Sequence, residues 1–108
     1  MTVKELCEKL NLKTICEDDN TREIDGAYTG DLLSWVMGRA KSGNVWVTIM
    51  SNVNVIAVAT LCDVSMVILS EGSTLDEEAL EKAKMQGINV YSSDKTSYEL
   101  CASIGAFI

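Results

Sequence analysis

Three short apolar runs, separated by segments of helical pattern, constrain this chain more than anything else in it. VWVTIM (residues 45–50), SMVILS (residues 65–70) and INVY (residues 88–91) carry almost no charged or strongly polar side chains. Strands of that kind are covered on both faces, the situation in a parallel sheet flanked by helices. Each run leads through Ser, Thr, Asn or Asp into a helical pattern: residues 53–61, residues 75–87, and a last helix with Tyr98, Leu100, Cys101 and Ile104. The order β-α-β-α-β-α over residues 45–105 predicts the α/β class. The expected domain spans residues 1–108, with a parallel sheet core and helices on both faces.

The remaining elements follow from local signals. Thr2 and Glu5 have capping-box spacing, and Val3, Leu6, Cys7 and Leu10 recur at helical spacing over residues 3–10. LKTICE holds a short strand, EDDNTRE (residues 17–23) is a polar loop, and Ile24 to Tyr28 is a second short strand. Asp31 is the expected cap of the helix DLLSWVMGRAKSG, with Arg39 and Lys41 near its negative end. Thr74 and Glu77 repeat the capping-box spacing before LDEEALEKAKMQG, and Gly87 stops that helix. VNVIAVATL (residues 53–61) also suits the second arm of a hairpin. A helix is preferred because Ser51 or Asn52 supplies a cap, whereas two-residue hairpin turns favour Gly.

Charge and composition narrow the function. The 108 residues contain 9 Lys+Arg, 16 Asp+Glu and no His, a formal net charge of −7. Nucleic acid and anionic lipid are disfavoured as partners, because the dispersed cations form no basic stripe. Without His there is no triad-type hydrolase and no His-based zinc site. Cys7, Cys16, Cys62 and Cys101 form no C-x-x-C pair, so neither a metal site nor a redox motif is expected. No run reaches the roughly 20 apolar residues of a membrane span. With no apolar leader at the N-terminus, a cytoplasmic location with reduced thiols is expected. Nor does a Walker A motif occur, which removes P-loop kinases.

One segment predicts a partner. Between Val53 and Leu61 only Asn54 and Thr60 have polar side chains. A helix apolar around most of its circumference is buried on more than one side. The expected second cover is another copy of the chain in a homodimer, with Val53, Val55, Ile56, Val58 and Ala59 at the interface. Another helix of the same domain is the alternative.

In open parallel sheets, ligands bind beyond the carboxyl ends of the strands. Here those ends are Ser51 and Asn52, then Ser70, Glu71, Gly72 and Ser73, then Asp94 and Thr96 with their neighbours. Each leads into a helix N-terminus, where free amides favour a small anionic metabolite or nucleotide. The same residue types also serve as ordinary helix caps. No catalytic, cofactor-binding or metal-binding residues are assigned, and no cofactor is expected.

GDLLSWVM (residues 30–37), VNVIAVATLCDVSMVIL (residues 53–69) and VYSSDKTSYEL (residues 90–100) resemble the DRTGG domain family, along residues 1–104. The family's Asp-Arg motif falls at Ser51-Asn52 or Val53. Its Thr-Gly-Gly motif falls at Ser70-Glu71-Gly72, where Gly72 alone keeps the family letter. The chain is similar to stand-alone members from anaerobic bacteria. Those members are often encoded beside iron-only hydrogenase subunits and carry a label taken from the N-terminal domain of HPr serine kinase. In regulatory pyrophosphatases the domain is fused to CBS domains. The resemblance implies a non-catalytic, homodimeric regulatory or ligand-sensing domain. Two alternatives stand beside it. One is an accessory subunit of a hydrogenase-type redox system, docking through its acidic surface. The other is a small enzyme for a phosphorylated metabolite, using Ser51, Asp94 and Lys95.

Overall fold

The computed structural model describes all 108 residues. In chain order the elements are α1 (Val3–Leu10), β1 (Lys13–Cys16), β2 (Ala27–Thr29), α2 (Leu33–Arg39), β3 (Val45–Thr48), α3 (Val53–Cys62), β4 (Met66–Leu69), α4 (Glu77–Gln86), β5 (Val90–Ser92) and α5 (Ser97–Gly105). The five strands form one sheet in the order β1-β5-β4-β3-β2. Strands β2 to β5 are parallel neighbours, and β1 closes the far edge antiparallel to β5. The sheet is therefore mixed at one edge and parallel elsewhere.

Period-two alternation divides the strands between two cores. Trp46, Val67, Leu69 and Val90 face α2, α3 and α4, where they meet Val36, Ile56 and Ala79. Val45, Val47, Met66, Ile68 and Tyr91 face the opposite way, toward Val3 and Leu6 of α1 and Leu100 and Ile104 of α5. Both faces of β3 and β4 are buried, which is why their sequences show no polar alternation.

Several local expectations give way to stronger partners. Asp31 does not cap α2, whose N-cap is Leu32, without a side-chain bond. Its Oδ1 instead accepts from Thr48 Oγ1 at 2.7 Å and the Ile49 amide at 3.0 Å. The end of β3 thus competes successfully for the carboxylate. Thr74 is likewise not a cap. Asp76 is, accepting from the Ala79 amide at 2.8 Å, and its negative charge suits the positive helix end better than a hydroxyl does. Thr2 and Glu5 do form their capping box, and Asn52 rather than Ser51 caps α3. The strand expected at Ile24 to Tyr28 is displaced to Ala27–Thr29, and the one at residues 88–91 to Val90–Ser92.

Helix α3 lies over the sheet between α2 and α4. Val55, Ile56 and Ala59 are fully buried and Val58 is 5% exposed within the single chain. Val53 is half-buried. A second subunit is not what covers these side chains, because the flanking helices and the sheet already do so. Of the two covers weighed for this helix, the intramolecular one is present.

Candidate functional site

The crossover helices α2, α3 and α4 all lie on one face of the sheet, whereas the chain leaving β5 passes to α5 on the other. Among the parallel strands, connections diverge to opposite faces only between β4 and β5. That divergence is the feature that opens a crevice in α/β sheets. Ser70, Glu71, Gly72 and Ser73 stand on one side of it, and Asp94 and Thr96 on the other. Ser51 and Asn52 sit one strand away, at the end of β3.

The two loops are stitched together through their backbones. The Glu71 amide donates to Lys95 O and the Gly72 amide to Ser93 O, both at 2.8 Å. The Ser73 amide donates to Ser70 O at 3.1 Å, and Ser73 Oγ donates to Ile49 O at 3.1 Å. Ser70 and Ser97 share a hydroxyl–hydroxyl bond of 2.8 Å. Glu71 and Gly72 both have positive φ, 57° and 73°. Gly72 is the more constrained, since a Cβ there would meet Asp94 Oδ1 at 3.1 Å. Glycine at this position lets the 70–73 loop lie directly against the 93–96 loop.

The helix N-termini at this end are occupied by their own caps. Asn52 Oδ1 accepts from the Asn54 amide at 3.0 Å. Thr96 Oγ1 accepts from the Glu99 amide at 3.2 Å, while Glu99 Oε1 accepts from the Thr96 amide at 3.1 Å. The Thr96 amide, and after it the Thr96 hydroxyl donating to Glu99 Oε1 at 3.2 Å, hold the exposed Glu99 carboxyl below its ordinary range. Amides 71 to 73 are likewise engaged, so the cluster presents side chains rather than a nest of free N–H groups.

Elsewhere the titratable groups are chemically quiet. Burial pushes the Cys7 thiol up to about 11 and also raises Cys16 and Cys62. These thiols are protonated at neutral pH and poor nucleophiles. Tyr91 is raised by burial and by its 2.7 Å bond to Glu17 Oε2. No group of three or more His, Cys, Asp or Glu is placed to hold a metal ion, and no helix is long and apolar enough to cross a membrane.

Sequence reasoning missed Asn89, the side chain that ties the start of β5 to its surroundings. Its Oδ1 accepts from the Asp18 amide at 2.7 Å, and its Nδ2 donates to Asp19 O at 2.8 Å and Ser65 O at 3.1 Å. The signal was an Asn inside an apolar run, where strands disfavour it.

These features define a three-layer α/β domain whose conspicuous polar cluster lies at the carboxyl ends of its parallel strands. The chain is similar in fold to the regulatory region of Clostridium perfringens pyrophosphatase, a crystal structure of CBS and DRTGG domains complexed with its activator, diadenosine tetraphosphate. The TM-score is 0.79 at 15% identity, over 95% of this chain and 45% of that one. The fold is thus DRTGG-like, and the chain spans less than half the length of that structure. No family model and no curated protein matches the chain.

Proposed function

We propose that this chain is a non-catalytic regulatory domain that senses a small anionic metabolite or nucleotide where the β4 and β5 connections diverge. The residues assigned to this role are Ser51, Asn52, Ser70, Glu71, Gly72, Ser73, Asp94 and Thr96. One observation carries the reading. The 70–73 loop is bonded to the 93–95 loop on one side and to Ile49 at the β3 end on the other. A ligand that shifts one of these loops therefore displaces the others, which is what a sensing domain requires of its binding layer. The similar fold of a pyrophosphatase regulatory region adds weight to it. The chain has no histidine to serve as a base, and the buried Ser70 hydroxyl is paired with Ser97 rather than with a general base.

The test is a thermal-unfolding screen against nucleotides, nicotinamide cofactors, acyl phosphates and uncharged nucleosides. A ligand present at ~100 times its dissociation constant adds about 2.7 kcal/mol. For a domain of this size that raises the melting temperature by roughly 10 °C or more. A flat profile across the whole panel counts against the reading.

Homodimerisation is part of the same proposal, with its surface moved off the buried side of α3. The fold leaves Leu32, Trp35 and Met37 exposed at α2. Light scattering at micromolar concentration is expected to give twice the 11.8 kDa chain mass. Trp35→Asp, at a side chain 54% exposed, is expected to return the single mass without unfolding. A wild-type chain of single mass removes the dimer.

A further inference from the structure

The β5 end carries one further feature, on the side facing α1 and β1. Lys9, Leu10 and Asn11 from the end of α1, Lys13 of β1, and Ser92, Ser93, Asp94 and Lys95 line a cleft of about 400 Å³. The volume is that of a small-molecule site, but Leu10 is the only hydrophobic residue in the lining. Three of the chain's 9 cationic side chains meet here, although its net charge is −7. None of the three is in an ion pair, since the two salt bridges of the chain are Met1 with Glu23 and Arg22 with Asp63. Lys9 Nζ also lies 5.1 Å from the centre of the Phe107 ring, but none of the three charges is neutralised; like charges around one opening repel one another, and an anion between them relieves that repulsion. The polar lining suits a compact, highly charged group rather than an aromatic ring.

We infer that this cleft binds the polyphosphate moiety of a small molecule through Lys9, Lys13 and Lys95, with the Ser92 and Ser93 hydroxyls completing the contact. The inference rests on the sensing role proposed above and adds to it the chemistry of the ligand and its side of entry. Ser93 and Lys95 also accept the amides of Gly72 and Glu71, so an anion held on them pulls directly on the 70–73 loop. Asp94 is the single acidic group in the lining, and its Oδ1 is set against Gly72.

Titration calorimetry at low salt tests the inference, with inorganic tripolyphosphate and ATP as separate probes, because the same chemistry comes from either source. Both are expected to bind if the phosphate chain is what is recognised, and only ATP if the nucleoside is also needed. Lys9→Gln, Lys13→Gln and Lys95→Gln should each weaken binding about tenfold, as loss of one charge-assisted hydrogen bond does. Asp94→Asn should tighten it by removing the one repelling charge. Lys41→Gln and Lys84→Gln, outside the cleft, should leave it unchanged. All five lysines are exposed, so these variants fold. Equal weakening by the outside lysines shows that binding follows net charge and overturns the inference. Undiminished ATP binding in the cleft variants also overturns it, while leaving a sensing site elsewhere intact. Failure of both probes overturns it as well, and the nicotinamide cofactors and acyl phosphates of the thermal screen then decide the sensing role separately.

Discussion

Val58→Asp is expected to unfold the chain rather than to separate two copies of it. Val58 is 5% exposed and packs in the core shared by α2, α3, α4 and the sheet. A carboxylate placed there has no partner, and an uncompensated buried charge costs about 3–5 kcal/mol. The loss of valine packing adds to that. Domains of this size hold only about 5–15 kcal/mol in total, so the variant should show little native signal at 37 °C. Val58→Ala, which removes only two methyl groups, should cost about 2 kcal/mol and unfold with the same denaturant slope. Leu61→Asp is the control on the same helix. Leu61 is 71% exposed, and an exposed substitution of this kind should change stability by about 0.5 kcal/mol or less. Urea titrations followed by far-UV circular dichroism read all three. If Val58→Asp keeps native dichroism and merely halves the mass in solution, the buried placement of Val58 is wrong and the α3 face returns as the subunit interface.

The contrast between Val58 and Leu61 shows how far the sequence could be read. The apolar runs at residues 45–50 and 65–70 declared two-sided burial, and β3 and β4 are buried on both faces as expected. The cap at Thr2 was legible, because there one polar residue had one helix start within reach. Caps were not legible where tertiary neighbours competed. Asp31 lies beside the end of β3 only in the folded chain, and nothing local announces that Thr48 and Ile49 will claim its carboxylate. The all-round apolarity of α3 was a correct sign of enclosure. Its assignment to a second subunit failed because a linear pattern does not count how many helices share a face. Here α2 and α4 share it. The candidate site was legible as a set of loops, since hydroxyl-rich strand ends are visible in the sequence. Its state was not, because the bonds that occupy amides 71 and 72 join segments more than twenty residues apart. The lysine cleft lay further out of reach, since Lys9, Lys13 and Lys95 meet only when β1 pairs antiparallel with β5.

Asn89→Ala is the second large effect, expected at about 3 kcal/mol. Asn89 is 4% exposed and uses its amide oxygen and both amide hydrogens. Truncation leaves the Asp18 amide and the Asp19 and Ser65 carbonyls without that partner, and a buried polar group left unsatisfied costs about 1–3 kcal/mol. Only the Ser65 bond is fully buried. The two loop groups regain water in part, which keeps the sum near the middle of what three orphans could cost. Asn89→Asp should be worse than Ala, since its second oxygen would face the Asp19 and Ser65 carbonyls where the amide now donates. That ordering separates a hydrogen-bonding role from a space-filling one: if Asn89 merely filled volume, Asp would be the milder change. The loss should also be visible locally. The 17–19 segment joins β1 to the rest of the chain, so hydrogen exchange at the Asp18 amide should accelerate under native conditions more than exchange in β3. Equal stability of the Ala variant and wild type in urea would mean that the three bonds contribute nothing net. The start of β5 would then be held by the packing of Ile88 and Val90 alone.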